Sequence, residues 1–167
     1  ALVMEGYMDV VTAHQHGFTN AVASLGTSLS QEQAWSLARH AREVVLAYDA
    51  DAAGGVAALR GVESFRKAGC QVRVARVPEG KDPDGFLRAR GAEAFRRVLE
   101  EALPLLDYVF EEAVSRHDPG SVAGKVAIVN ELLPHLAAEE SAVARDAYLA
   151  RLAARLGLGE EALRQEL

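Results

Sequence analysis

Three short acidic stretches hold the residues of this 167-residue chain best suited to chemistry. Each follows an apolar run of strand length. Leu2-Val3-Met4 leads into Glu5-Gly6, and Val44–Tyr48 leads into Asp49-Ala50-Asp51. Val72–Val77 passes through Pro78-Glu79-Gly80 and Lys81 into Asp82-Pro83-Asp84. If the three runs are parallel strands of one sheet, their carboxyl ends converge, and Glu5, Asp49, Asp51, Asp82 and Asp84 face one another across a crevice. Carboxylates gathered in this way repel and raise one another's pKa, and a divalent cation removes that cost. A ligand set of oxygens without His or Cys suits Mg²⁺ or Mn²⁺ rather than zinc. Such an ion, with open positions for phosphate oxygens, is the equipment of phosphoryl transfer. Acids at strand ends are also ordinary turn formers and helix caps. Three acidic strand ends in one sheet, two of them Asp-x-Asp pairs, favour the metal reading.

The neighbouring residues fit a phosphate-bearing ligand. Gly6 after Glu5, and Gly54 after Asp51, let backbone approach a bound group closely, although Gly54-Gly55 is equally a tight turn. A helix beginning near Ala53 would point its free N–H groups toward the same edge. Lys81 beside Asp82 is placed to meet a nucleotide phosphate or to be a solvated turn lysine. The five histidines show no metal-ligand spacing. Arg60, Arg66, Lys67, Arg73 and Arg76 read either as the edge of a template path or as solvated surface. Trp35 reads as packing rather than as a stacking platform.

The elements needed to position these acids are present. Strands are expected at Leu2–Met4, Asn20–Ser24, Val44–Tyr48 and Val72–Val77, the third being a continuous apolar run of the kind buried in parallel sheets. Helices are expected through Asp9–His16, closed by Gly17, and from a Ser30/Gln33 capping box to Arg42. A further helix carries Val56, Leu59, Val62 and Phe65. This alternation predicts an α/β fold with a parallel sheet flanked by helices. After Gly91 the pattern turns helical throughout: Ala92–Ala102, Pro104–Ala113, Val122–Leu136 with Pro134 as a kink or end, Ser141–Leu156 and Glu160–Leu167. The expected organisation is an α/β metal-binding domain over residues 1–103, followed by a small all-α bundle over residues 104–167.

Composition narrows the class. No apolar run approaches the ~20 residues needed to span a membrane. The single cysteine, Cys70, excludes an internal disulfide and suits the reducing cytoplasm. Without an initiator Met, and with its apolar run under way at Leu2, the start reads as a cut inside a strand. The net charge of −6 sits poorly with a polyanionic partner. Residues 1–103 hold 12 Lys and Arg against 13 Asp and Glu, and residues 104–167 hold 6 against 11. The acidic excess therefore belongs to the second part.

Glu5-Gly6 followed by Asp49-Ala50-Asp51-Ala52-Ala53-Gly54 resembles the Toprim fold of primases, topoisomerases and some nucleases. Three stretches are similar to bacterial DnaG-type primases in particular: Glu5-Gly6-Tyr7-Met8-Asp9-Val10, Ala21-Val22-Ala23-Ser24-Leu25-Gly26-Thr27 and Glu79-Gly80-Lys81-Asp82-Pro83-Asp84. The resemblance covers about residues 1–110, and more loosely the helical remainder through Gly124-Lys125 and Leu156-Gly157.

It implies template-directed synthesis of short RNA primers on single-stranded DNA from ribonucleoside triphosphates. It assigns the catalytic metals, Mg²⁺ or Mn²⁺, to Glu5, Asp49 and Asp51, with an acid–base role for Glu5 as well. Asp82 and Asp84 complete the acidic cluster, Asp9 supports it from behind, and Gly6, Asp9, Gly54 and Lys81 are the substrate-side residues. The resemblance also implies parts outside these residues: an N-terminal zinc module, a basic subdomain and a C-terminal module that contacts the replicative helicase. On that basis this piece alone is expected to bind DNA weakly and make little or no primer. Two other readings use the same residues. A Toprim nuclease or topoisomerase fragment would cleave strands, although none of the four tyrosines sits in a context suited to a topoisomerase nucleophile. A non-catalytic nucleotide-binding module would have no reason to keep five mutually repelling acids.

Overall fold

The computed structural model describes residues 1–25, 29–48, 62–78 and 82–167. Asp49, Asp51, Gly54 and Lys81 lie outside them, as does the first half of the helix expected from Val56. The chain forms two units, Ala1–Leu105 and Leu106–Leu167.

The first unit is built on a sheet of five strands: β1 (Leu2–Met4), β2 (Ala21–Ala23), β3 (Glu43–Tyr48), β4 (Gln71–Arg76) and β5 (Leu103–Pro104). Their order is β2-β1-β3-β4-β5. The first four are mutually parallel, with Val3 opposite Val22 on one side and Leu46 on the other. Helices cover both faces, so β1 can be apolar at every position, and Leu2, Val3 and Met4 are all buried. Helices α1 (Tyr7–Gln15) and α4 (Pro83–Glu100) accompany α2 (Gln31–Ala38) and α3 (Val62–Lys67). A core cluster joins Leu2, Met4, Ala47 and Ala75 of the sheet to Ala13 of α1 and to Phe86, Leu87 and Phe95 of α4.

The chain steps from β1 outward to β2, then returns past β1 to β3. That reversal makes a topological switch point between β1 and β3, and open α/β sheets bind ligands outside the strand ends at such a point. Counting on by two from the Val3–Leu46 pair puts Glu5 level with Tyr48, the residue before Asp49. The fold thus places the Glu5-Gly6 turn beside the end of the strand that leads into Asp49.

One feature departs from the simplest sequence reading. β5 is antiparallel to β4, with Arg73 opposite Pro104 and Val74 opposite Leu103, so the sheet is mixed. Arg73 fastens this edge: its Nε and Nη2 donate to the Ala102 carbonyl at 2.9 and 2.7 Å, and Nη2 also reaches the Glu100 carbonyl at 2.8 Å. It therefore has a bonding role beyond surface solvation. The helix after Gly91 lies within the first unit, inside the expected span of residues 1–103. Gly91 interrupts α4 with φ 77°, and the chain then resumes as helix. Phe95 beyond the break is fully buried, edge-on to Phe18 at 5.2 Å between ring centroids.

The second unit holds α5 (Leu105–Arg116, whose first residue closes unit one), α6 (Val122–Ala137), α7 (Ala142–Leu156) and α8 (Glu160–Glu166). Its buried apolar faces recur at helical spacing: Leu106, Val109, Phe110 and Ala113; Ile128, Leu132 and Leu136; Leu149, Leu152 and Leu156. Ser121 and Ser141 cap α6 and α7. Pro134 does not end α6, which runs on through its last turn. Arg155 of α7 pairs with Glu111 at 2.7 Å while lying 4.2 Å over the Phe110 ring.

Candidate functional site

The carboxyl end of β1 turns through Glu5 and Gly6 into α1. Gly6 is the N-cap of that helix, and its N–H donates to Oδ2 of Asp9, at the third helical position, at 3.1 Å. The other oxygen, Oδ1, accepts the Asp84 N–H at 3.0 Å. One buried carboxylate thereby links the turn carrying Glu5 to the turn carrying Asp82 and Asp84. A Cβ on Gly6 would stand 2.9 Å from Asp9 Oδ2, so the glycine is the space in which that carboxylate sits. Burial pushes the Asp9 carboxyl above its ordinary range, against the two backbone bonds that favour its charge; Asp82 and Asp84 add to the rise.

The Asp82-Pro83-Asp84 turn opens α4. Asp82 is its N-cap, accepting the Gly85 N–H at 2.6 Å through Oδ1, with Pro83 in the first turn. Asp84 Oδ1 accepts from the buried Thr12 hydroxyl of α1 and from Arg88 Nε, the latter at 2.7 Å. The Thr12 bond first, and Arg88 after it, hold the Asp84 carboxyl below its ordinary range. Both acids are therefore helix-start residues, as the ordinary reading of acidic strand ends allows. Among the described residues no hydrogen bond reaches Oδ2 of either one.

On the other side of β1, the backbone continues beside Glu5. Ser24 N donates to Met4 O, and Leu25 N donates to Glu5 O at 3.1 Å. Leu25 adopts φ 58°, a left-handed conformation uncommon for a side-chain-bearing residue. The half-buried Tyr48 lies at the end of β3. Burial raises its phenol pKa, a Ser24 hydrogen bond opposes the rise and the Glu5 carboxylate adds to it.

The structure thus joins the turn of Glu5 and Gly6 to the turn of Asp82 and Asp84 through Asp9. Sequence reasoning missed Thr12, Arg88, Ser24 and Tyr48 here. Thr12 had a signal: it stands three residues after Asp9, beside the fully buried Ala13, where an apolar residue would be usual. No group of three or more His, Cys, Asp or Glu at metal-binding spacing occurs among the described residues. Glu5 has no basic partner among them. Among the described residues, the carboxylates of Glu5, Asp82 and Asp84 supply oxygen donors, which fit a hard cation. No helix of the described residues is long and apolar enough to cross a membrane.

Residues 2–87 match the Toprim-like family model, and residues 106–161 match that of the DnaB-helicase binding domain of primase. A DNA primase of Clostridium acetobutylicum is 41% identical over 165 residues, covering 97% of this chain and 27% of that protein. A DNA primase domain from Pseudomonas aeruginosa superposes with a TM-score of 0.79 at 37% identity, over 98% of this chain and 52% of that one. A DnaG primase catalytic domain bound to single-stranded DNA gives 0.78 at 34% identity, over 96% and 52%. The chain spans about a quarter of the length of the curated relative and half of each solved chain. With just over half of its residues within the first of those models, and with DNA primases as its relatives, the chain belongs to the Toprim-like family.

Proposed function

We propose that the chain is the metal-binding catalytic core of a DNA primase, contributing to template-directed nucleotidyl transfer from ribonucleoside triphosphates on single-stranded DNA. The observation that carries this reading is the Asp9 carboxylate that joins the turn after Glu5 to the turn of Asp82 and Asp84, beside the end of β3, in a chain similar to primases over nearly its whole length.

In this reading Glu5, Asp49 and Asp51 hold Mg²⁺ or Mn²⁺, and Asp82 and Asp84 border the ions through their Oδ2 atoms. When bound, the metal supplies charge neutralisation at the phosphates and lowers the pKa of the attacking hydroxyl. The chain's own residues orient and insulate. Asp9 fixes the two acidic turns relative to each other. Tyr48 walls the crevice beside Glu5, Gly6 and Gly54 leave room for phosphate, and Lys81 meets its charge. Glu5 is also the proposed acid–base residue. With only −1 of formal charge in residues 1–103, most phosphate contacts must come from residues outside this chain. The single-stranded DNA bound to one structural neighbour supports a template at this core. The match at residues 106–161 supports the replicative helicase as a partner, with the helical unit as the proposed contact.

Product analysis with single-stranded DNA, ribonucleotides and Mn²⁺ tests the reading. Traces of short RNA, abolished by Glu5→Gln, are expected. Cleavage of the DNA strand, abolished by the same substitution, would favour a nuclease.

A further inference from the structure

The start of α4 is latched to α1 through Thr12. Its hydroxyl donates to Asp84 Oδ1 and accepts from Arg88 Nη2 at 3.3 Å, while Arg88 Nε donates to the same Asp84 oxygen at 2.7 Å. The Asp84 N–H is meanwhile held by Asp9 at 3.0 Å. Both ends of the Asp84 residue are thus tied to one helix.

The two donors to the carboxylate differ in weight. The Arg88 side chain is 57% exposed, and an exposed i,i+4 ion pair contributes little by itself. Thr12 is 1% exposed, so its hydroxyl depends on these partners, and valine would fill the same volume without needing them. A buried hydroxyl on this face therefore has a directional role. It immobilises Oδ1 and leaves Oδ2 as the oxygen of Asp84 with no hydrogen bond from the described residues.

We propose that Thr12, assisted by Arg88, is a positioning residue for the metal site: it sets the rotamer of Asp84 so that Oδ2 faces the edge where Glu5 lies. This rests on the reading of that edge as a divalent-metal site. Ligand-supporting partners of this kind change metal affinity by about 10–100-fold when removed.

The test is Mn²⁺ titration calorimetry on the 167-residue chain and its variants, with metal-free thermal melts of each. Thr12→Val is expected to weaken Mn²⁺ binding about tenfold, while Thr12→Ser, which keeps the hydroxyl, stays within about twofold of the parent. Parent-like affinity in a folded Thr12→Val would overturn the inference, as would an equal loss in Thr12→Ser. If Thr12→Val does not fold, Arg88→Met removes the companion donor from an exposed position; a several-fold loss is expected, and unchanged affinity would overturn the inference. Absence of Mn²⁺ binding by the parent would instead overturn the metal-site reading, and this inference with it.

Discussion

Gly6→Ala tests the carboxylate clamp at the site, because two effects of opposite sign act there. The backbone at Gly6 has φ −104° and ψ 154°, which any residue adopts, so alanine introduces no backbone strain. On that basis alone the substitution would stabilise by roughly 0.4–1 kcal/mol, through lower entropy of the unfolded chain. Against it, the new Cβ would stand 2.9 Å from Asp9 Oδ2, closer than such contacts allow, and 3.9 Å from Cγ. Asp9 cannot yield freely, because its oxygens hold the Gly6 and Asp84 N–H groups at 3.1 and 3.0 Å. Losing one hydrogen bond to a charged group costs about 1.5–3 kcal/mol, so the net expectation is a destabilisation of about 1–2 kcal/mol. Urea unfolding followed by Trp35 fluorescence measures it, since the chain's one tryptophan lies in the first unit. The decisive comparison is a double-mutant cycle. In an Asp9→Ala background the clash partner is gone, and Gly6→Ala should become neutral or stabilising. The same cost in both backgrounds, or outright stabilisation by Gly6→Ala alone, would refute the clamp.

Two other expectations follow from the same contacts. A Cβ on Gly124 would stand 1.9 Å from the Asp118 carbonyl oxygen, so Gly124→Ala should destabilise the second unit by at least about 1–3 kcal/mol; an unchanged helical melting transition would contradict this. Asp9 titrates above its ordinary value in the folded state, so between the two values the folded chain holds a proton the unfolded chain has released. Its contribution to stability therefore falls as pH rises through that window, and the loss stays in full above it. Asp9→Asn, compared with the parent in metal-free buffer, should remove this slope and leave a constant offset from the lost acceptor; parallel pH profiles would contradict the assignment.

The elements that carry the acids were legible because their signals are local. β1 and β3 are apolar at nearly every position, and only a strand covered on both faces tolerates that. β5 was not legible. It is two residues long and contains a proline, and it is held by Arg73, thirty positions away in sequence, gripping the carbonyls before it. The helix after Gly91 was legible as a helix of the first part, although a glycine with positive φ breaks the pattern before it. Its membership of the first unit is decided by Phe95 packing on Phe18, a tertiary contact. At the site, residue types and spacing pointed to Glu5, Asp82 and Asp84, and resemblance added Asp9. The bonds of Asp84 to Asp9 and Thr12 cross more than seventy residues, and no local spacing announces them.

The central claim is that the acids after β1 and β3 hold a divalent metal. Mn²⁺ calorimetry on the chain and on an Asp49→Ala, Asp51→Ala double variant tests it most directly. Saturable binding by the parent that the folded variant loses is the predicted result. Equal binding by both, or none by either, would contradict the account.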